Sequence, residues 1–212
     1  MVTLSSHNLQ VDLAKAEKIG QGRYREVFRM GDLALKVLKS HVRKNYGLFH
    51  IDYPMKVYTK YKFGIADFNQ FEFEMYQGFI DRIPLNLRNR FYRIHSVDNV
   101  GGRSYLLADL VLDDDGSLSK PLSKQGKSDN HFWERVKELE EVLIDKEVPV
   151  LDIRGENILV QNTAQGVIPV MVDYKRFGRK TYPFQFGLSS KKSMIKKQRR
   201  RFQRLREQYQ LS

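Results

Sequence analysis

Three polar residues stand on an otherwise apolar stretch between Glu147 and Lys175: Asp152, Asn157 and Asp173. Asn157 leads straight into the apolar run Ile158-Leu159-Val160, Asn162 to Gly166 reads as a turn, and Val167 to Val172 reads as a second strand that delivers Asp173. A hairpin of this kind brings Asn157 and Asp173 to one end, with Asp152 just upstream. Two oxygen ligands converging beside a further carboxylate suit a magnesium-bound nucleotide and a hydroxyl acceptor, because Mg²⁺ takes hard oxygen ligands and shares them with phosphates. The carboxylate outside the metal shell can orient the attacking hydroxyl. The plainer alternative is a buried hairpin whose polar residues bond only one another.

Anions need cations and close backbone amides, and the front of the chain offers both. Residues 17–39 read as three short strands, broken at Gly20 and Gly22 and turned at Met30-Gly31-Asp32. Strand alternation puts Ala34, Lys36 and Leu38 on one face of the third strand and Leu33, Leu35 and Val37 on the other. A lysine on an apolar strand needs an anionic partner, since an unpaired buried ammonium is very costly. A helix from about Asp67 to Phe79 carries Phe68, Phe71, Met75 and Phe79 at core-facing spacing, with Glu72 along that stripe and Glu74 turned away. Glu72 is therefore the expected partner of Lys36. Residues 40–64 exceed the usual connection length and read as a functional or mobile insert. Residues 90–113 form another hairpin around Asn99 to Gly102, so the front half should be a five-stranded antiparallel sheet with one helix. Further helices are expected from about Asn130 to Lys146, capped by Ser128 or Asp129 with a stripe of Phe132, Val136, Leu139 and Leu143, and from Ser189 to Tyr209.

These stretches resemble known ones. D-I-R-G-E-N-I-L-V from Asp152 resembles the catalytic loop of protein-kinase-like enzymes, and VDYK stands where they carry D-F-G. Gly20-x-Gly22 followed by Val27 resembles their glycine-rich loop, and Ala34-Leu35-Lys36 their V-A-I-K strand. The resemblance implies Asp152 as the catalytic carboxylate, Arg154 at the phosphate-facing basic position, and Asn157 and Asp173 as magnesium ligands. Gly20, Gly22, Val27, Ala34, Lys36 and Glu72 would then hold ATP, with backbone groups of Leu107 to Leu110 meeting adenine. Three departures stand out: Arg25 replaces the third glycine, Tyr174-Lys175 replaces the Phe-Gly of D-F-G, and Val150-Leu151 replaces the His-Arg before the catalytic Asp. LADLVLDDDGSLSKPL, Glu72-x-x-x-Tyr76, the catalytic stretch and the overall length are similar to the bacterial YrbL family of PhoP-regulatory-network proteins, over about residues 15–185. That family is small and kinase-like. The implied fold is α+β, a compact two-lobed protein-kinase-like chain. A small nucleotide-binding lobe would span residues 1–110, and a reduced, mainly helical large lobe residues 111–212.

Composition narrows the alternatives. At 212 residues, 41% hydrophobic, the chain can bury a real core. It has no cysteine, which excludes disulfides and thiol catalysis, and its five histidines show no ligand spacing. No apolar run approaches a membrane span and the N-terminus is polar, so the expected location is cytoplasmic, with the inner-membrane periphery as an option. Residues 191–212 hold nine Lys and Arg against one Glu, eight of the twelve net positive charges. That basic helix, 189–209, reads as docked with a solvated face, as a contact for an anionic membrane surface or acceptor, or, least supported, as a nucleic-acid contact. The expected activity is ATP- and Mg²⁺-dependent phosphoryl transfer to a hydroxyl acceptor, either a protein or a lipid-linked sugar. A non-catalytic kinase-like regulatory or binding protein and a lipopolysaccharide-core sugar kinase are the alternatives.

Overall fold

Gly31 reverses the chain between two strands, with the positive φ (60°) that so tight a turn requires. The computed structural model describes residues 16–46, 49–125, 128–148, 151–174 and 191–210. Lys175, Pro149-Val150 and the polar N-terminus lie outside the described residues. Two units emerge by contact: residues 1–73 with 94–110, and residues 74–93 with 111–212.

In the first unit, β1 (Glu17–Gln21), β2 (Arg25–Met30) and β3 (Leu33–Leu38) are the three strands expected. The insert of residues 40–64 carries regular elements. They form a hairpin of β4 (His41–Tyr46) and β5 (Phe49–Pro54) and then helix α1 (Met55–Phe63). Val42, Met55, Tyr58 and Thr59 are buried there, and Tyr24, Tyr58, Phe63 and Phe68 pack as rings 5.0–6.4 Å apart. The Tyr and Lys content that hides periodicity thus serves an aromatic cluster, and Gly64 ends α1 in the left-handed conformation. Helix α2 (Phe68–Ile80) follows, starting in the first unit, then a 3-10 turn (Leu85–Arg90) in the second. The chain re-enters the first unit as β6 (Ile94–Val100) and β7 (Arg103–Asp109), joined at Gly101-Gly102.

The sheet is antiparallel with order β1-β2-β3-β7-β6, the five strands predicted, with the β4–β5 hairpin and α1 in addition to the single helix expected. Leu35 and Val37 pack on Tyr105 and Leu107 on one face, which frees the opposite face of β3 to present Ala34 and Lys36. Strand β7 runs on to Asp109, and the Leu110 N–H donates to Asp32 O at 2.9 Å. The segment Leu107–Leu110 is therefore largely strand, and that amide is already used.

The second unit adds β8 (Lys120–Pro121), α3 (Leu122–Gln125), α4 (Asn130–Asp145), β9 (Ile158–Thr163), β10 (Gly166–Met171) and α5 (Lys191–Tyr209). Asp129 caps α4, its carboxylate accepting from Phe132 N at 2.7 Å, and Phe132, Val136, Leu139 and Leu143 are fully buried. Strands β9 and β10 pair antiparallel with Ile158 opposite Met171, and β8 adds a third strand beside β9. The turn is tighter than predicted, with only Ala164 and Gln165 between the paired Thr163 and Gly166. Arg135 of α4 grips it, donating to Val167 O (2.7 Å) and Gln165 O (2.8 Å).

Candidate active site

In the first unit, β2 and β3 place Val27 opposite Lys36, and β1 places Gly20 opposite Val27. Gly22 forms a turn through its N–H to Arg25 O (2.8 Å), and the Lys39 ammonium donates to Gly22 O (2.8 Å). Ala34 pairs with Ala108 in the sheet interior, both buried. Lys36 is buried and its Nζ lies 3.0 Å from Glu72 Oε1. Glu74, two positions on, is exposed. The helical stripe therefore selects the paired carboxylate as the spacing implied.

Arg25 carries a role the sequence did not reveal. Where the kinase pattern has a glycine, this buried guanidinium pairs with Glu72 Oε2, so the carboxylate gives one oxygen to each of two cations. Arg25 Nη1 also donates to Asn69 Oδ1 (3.2 Å), and Asn69 Nδ2 donates to Lys36 O (3.2 Å) and Ser104 O (3.0 Å). Ser104 Oγ in turn donates to Asp67, whose carboxylate accepts from the first amides of α2. This buried chain fixes α2 to β3 and β7 and so fixes Glu72 beside Lys36. Asn69 lies three residues before Glu72 on the buried face, a polar residue there being the available clue.

In the second unit, residues 151–157 are held by their own backbone and by α5. Asn157 N–H donates to Arg154 O (2.9 Å), and its side-chain amide donates to Asp152 O (2.9 Å) and Asp152 Oδ2 (3.3 Å). That orientation leaves Asn157 Oδ1 as an acceptor. Val172 N–H donates to Asn157 O (2.9 Å), so the next residue, Asp173, leaves the hairpin beside Asn157. Asp173 has φ of 61°, a left-handed backbone that costs a non-glycine residue on the order of 1 kcal/mol or more. The following Tyr174 is fully buried, stacked on Tyr76 (5.6 Å), edge-on to Phe79 (5.2 Å), and its hydroxyl donates to Tyr92 O (2.6 Å). This packing holds the strained turn.

Asp152 is the most informative of these side chains. Its Oδ1 is buried and, among the described residues, accepts no aligned hydrogen bond. Two guanidiniums lie close: Arg154 Nε at 3.2 Å and Arg201 Nη1 at 3.6 Å. Arg201 belongs to α5 and also donates to Leu151 O (2.5 Å), a contact with the D-x4-N stretch that no spacing in the sequence announced.

The donor set around Asn157 and Asp173 fits a Mg²⁺ ion held partly by phosphate and water, which needs only one or two protein carboxylates. No cluster of three or more His, Asp or Glu that could hold a metal alone occurs among the described residues. Among them too, no helix is long and apolar enough to cross a membrane.

Residues 11–210 match the family described as PhoP regulatory network protein YrbL. The chain belongs to the YrbL family. No curated protein matches this YrbL-family chain. Among solved structures it is similar to one titled PpkA-294 apo form, with 15% identity, 74% of this chain, 56% of that one and a TM-score of 0.49. A WbdD structure with the kinase inhibitor LY294002 gives 13%, 78%, 34% and 0.46. The kinase domain of Mycobacterium tuberculosis PknI gives 11%, 76%, 59% and 0.43. The chain thus spans less than two thirds of each of these three. Its own element order, with a lysine on the third strand, a paired glutamate on α2 and a hairpin after D-x4-N, is kinase-like.

Proposed function

We propose that this YrbL-family protein is an ATP- and Mg²⁺-dependent phosphotransferase acting on a hydroxyl acceptor. The observation that carries the reading is Asp152 Oδ1, a buried carboxylate oxygen without an aligned donor. Arg154 and Arg201 stand beside it as cations at 3.2 and 3.6 Å without an aligned bond, so the oxygen can still accept from a substrate hydroxyl, the donor that such an acceptor suits.

Each side chain has a role that follows from its charge. Gly20 and Gly22 let backbone amides come near phosphate oxygens. Lys36, oriented by Glu72 and indirectly by Arg25, neutralises phosphate charge. Asn157, through Oδ1, and Asp173 would hold Mg²⁺, which when bound supplies charge stabilisation on the phosphates. Asp152 accepts the hydroxyl proton as the acceptor oxygen bonds to the γ-phosphorus. The bond from that phosphorus to its bridging oxygen breaks, and ADP leaves with the electron pair. Arg154 stabilises charge on the transferred group.

A second reading is favoured by Tyr174. Its ring contacts and hydroxyl bond fix the residue that follows Asp173, which suits a kinase-like regulatory module that binds nucleotide without transfer. Transfer of label from γ-labelled ATP separates the two. Wild-type protein should transfer label, and Asp152→Asn should lose about 10²- to 10⁴-fold while still binding nucleotide. Equal transfer by both proteins would contradict the assigned role, and nucleotide binding without transfer by either would favour the regulatory module.

A further inference from the structure

Helix α5 has two unlike faces. Phe202 and Leu205 are buried in the second unit, and Arg206 ties the helix to Glu140 of α4 at 2.6 Å. Lys197, Arg200, Arg201, Arg204 and Gln208 recur at helical spacing on another face, and that face turns to the catalytic stretch. Between the two lies a cavity of about 520 Å³, within the ordinary range for small-molecule sites. Its ionisable lining is Arg154, Lys197, Arg200, Arg201 and Arg204 against the single carboxylate of Glu156, besides Tyr209. Among the described residues, Lys197, Arg200 and Arg204 have no carboxylate at ion-pair distance. Two of these cations, Arg154 and Arg201, are also the ones beside Asp152 Oδ1. Arg154, Lys197, Arg200 and Arg204 are exposed at the cavity, and Arg154 and Arg201 are shared with the candidate base.

We infer that this cavity binds the acceptor, and that the acceptor is a polyol already carrying phosphate groups, with a free hydroxyl presented to Asp152. Lys197, Arg200 and Arg204, which have no carboxylate at ion-pair distance among the described residues, demand more negative charge than one carboxylic acid supplies. Guanidinium forks match phosphate oxygens in pairs. The inference rests on the phosphotransferase reading and names its substrate class. A soluble sugar phosphate and a phosphorylated lipid headgroup share this chemistry.

Full-length protein is titrated, without nucleotide or metal, with fructose 1,6-bisphosphate, with glucose as the uncharged control, and with vesicles containing phosphatidic acid. The wild type and the double variant Arg200→Gln/Arg204→Gln are compared, and both are also melted with ATP and Mg²⁺. The expected result is binding of a phosphorylated probe but not glucose, weakened about ten- to a hundred-fold in the variant, with the ATP·Mg²⁺ response kept. Binding of the sugar bisphosphate points to a soluble acceptor, and binding of vesicles alone to a lipid-borne one; either supports the site. Three outcomes overturn it: no probe binding, binding that the variant leaves unchanged, or loss of the ATP·Mg²⁺ response in the variant, which would make the cavity part of the nucleotide site. Absence of an ATP·Mg²⁺ response in the wild type would instead count against the phosphotransferase reading.

Discussion

Gly155 lies directly under Tyr209: a Cβ on Gly155 would stand 2.6 Å from the tyrosine ring. No side chain can occupy that space without movement, so the stretch 151–157 and α5 are shaped to each other. Gly155→Ala should therefore lower stability by about 1–3 kcal/mol through overpacking. Adding Tyr209→Ala should return most of that loss, a coupling measurable by denaturant melts of the two single variants and the double. Additive effects would mean that the helix does not sit on the loop.

Glu72 serves two buried cations, and removing it strands both. Glu72→Ala should cost about 3–5 kcal/mol in urea unfolding, because uncompensated buried charge dominates. Replacing the whole group, as Arg25→Met/Lys36→Met/Glu72→Leu, should recover most of the loss and abolish nucleotide binding. A fully stable Glu72→Ala protein would contradict the buried pairing.

Much of this was legible because the signals were periodic or local. Phe68, Phe71, Met75 and Phe79 announced a buried helical face, and Glu72 on that face announced the partner of Lys36. Asp129 capped α4 as its residue type implies. The hairpin carrying Asn157 and Asp173 followed from two apolar runs and a turn. Residues 40–64 are opaque because Tyr58 and Phe63 of α1 pack with Tyr24 and Phe68 from outside the segment, which leaves no simple period within it. Arg25 was read as a departure from a glycine pattern, since nothing local shows that its side chain reaches a helix 47 positions away. Arg201 is hidden for the same reason: nothing in a run of nine basic residues marks it as lying beside Asp152.

Asp113 clamps the loop before β8 to the β9–β10 hairpin. Its carboxylate accepts from Ser119 Oγ (2.5 Å), Asn162 N (3.0 Å) and Asn162 Nδ2 (2.6 Å). Partial burial opposes its charge, but the bonds from Ser119 and Asn162 outweigh it and hold the carboxyl below the usual carboxylate range. A depressed folded pKa contributes stability that is present above the unfolded value and lost as pH falls through the folded one. Asp113→Ala should therefore be less stable than wild type at neutral pH, and the gap in melting temperature should close under acid conditions below the ordinary carboxylate pKa. A gap that does not change with pH would contradict the clamp.

The most direct measurement is a thermal melt with ATP, with and without Mg²⁺, on wild type, Lys36→Met and Asp173→Asn. Binding to the native state raises its stability by about 2.7 kcal/mol at a hundredfold excess over Kd. The wild type should gain a metal-dependent rise in melting temperature, and each variant should lose most of it. No response to nucleotide in the wild type, or an undiminished response in both variants, would contradict the phosphotransferase account.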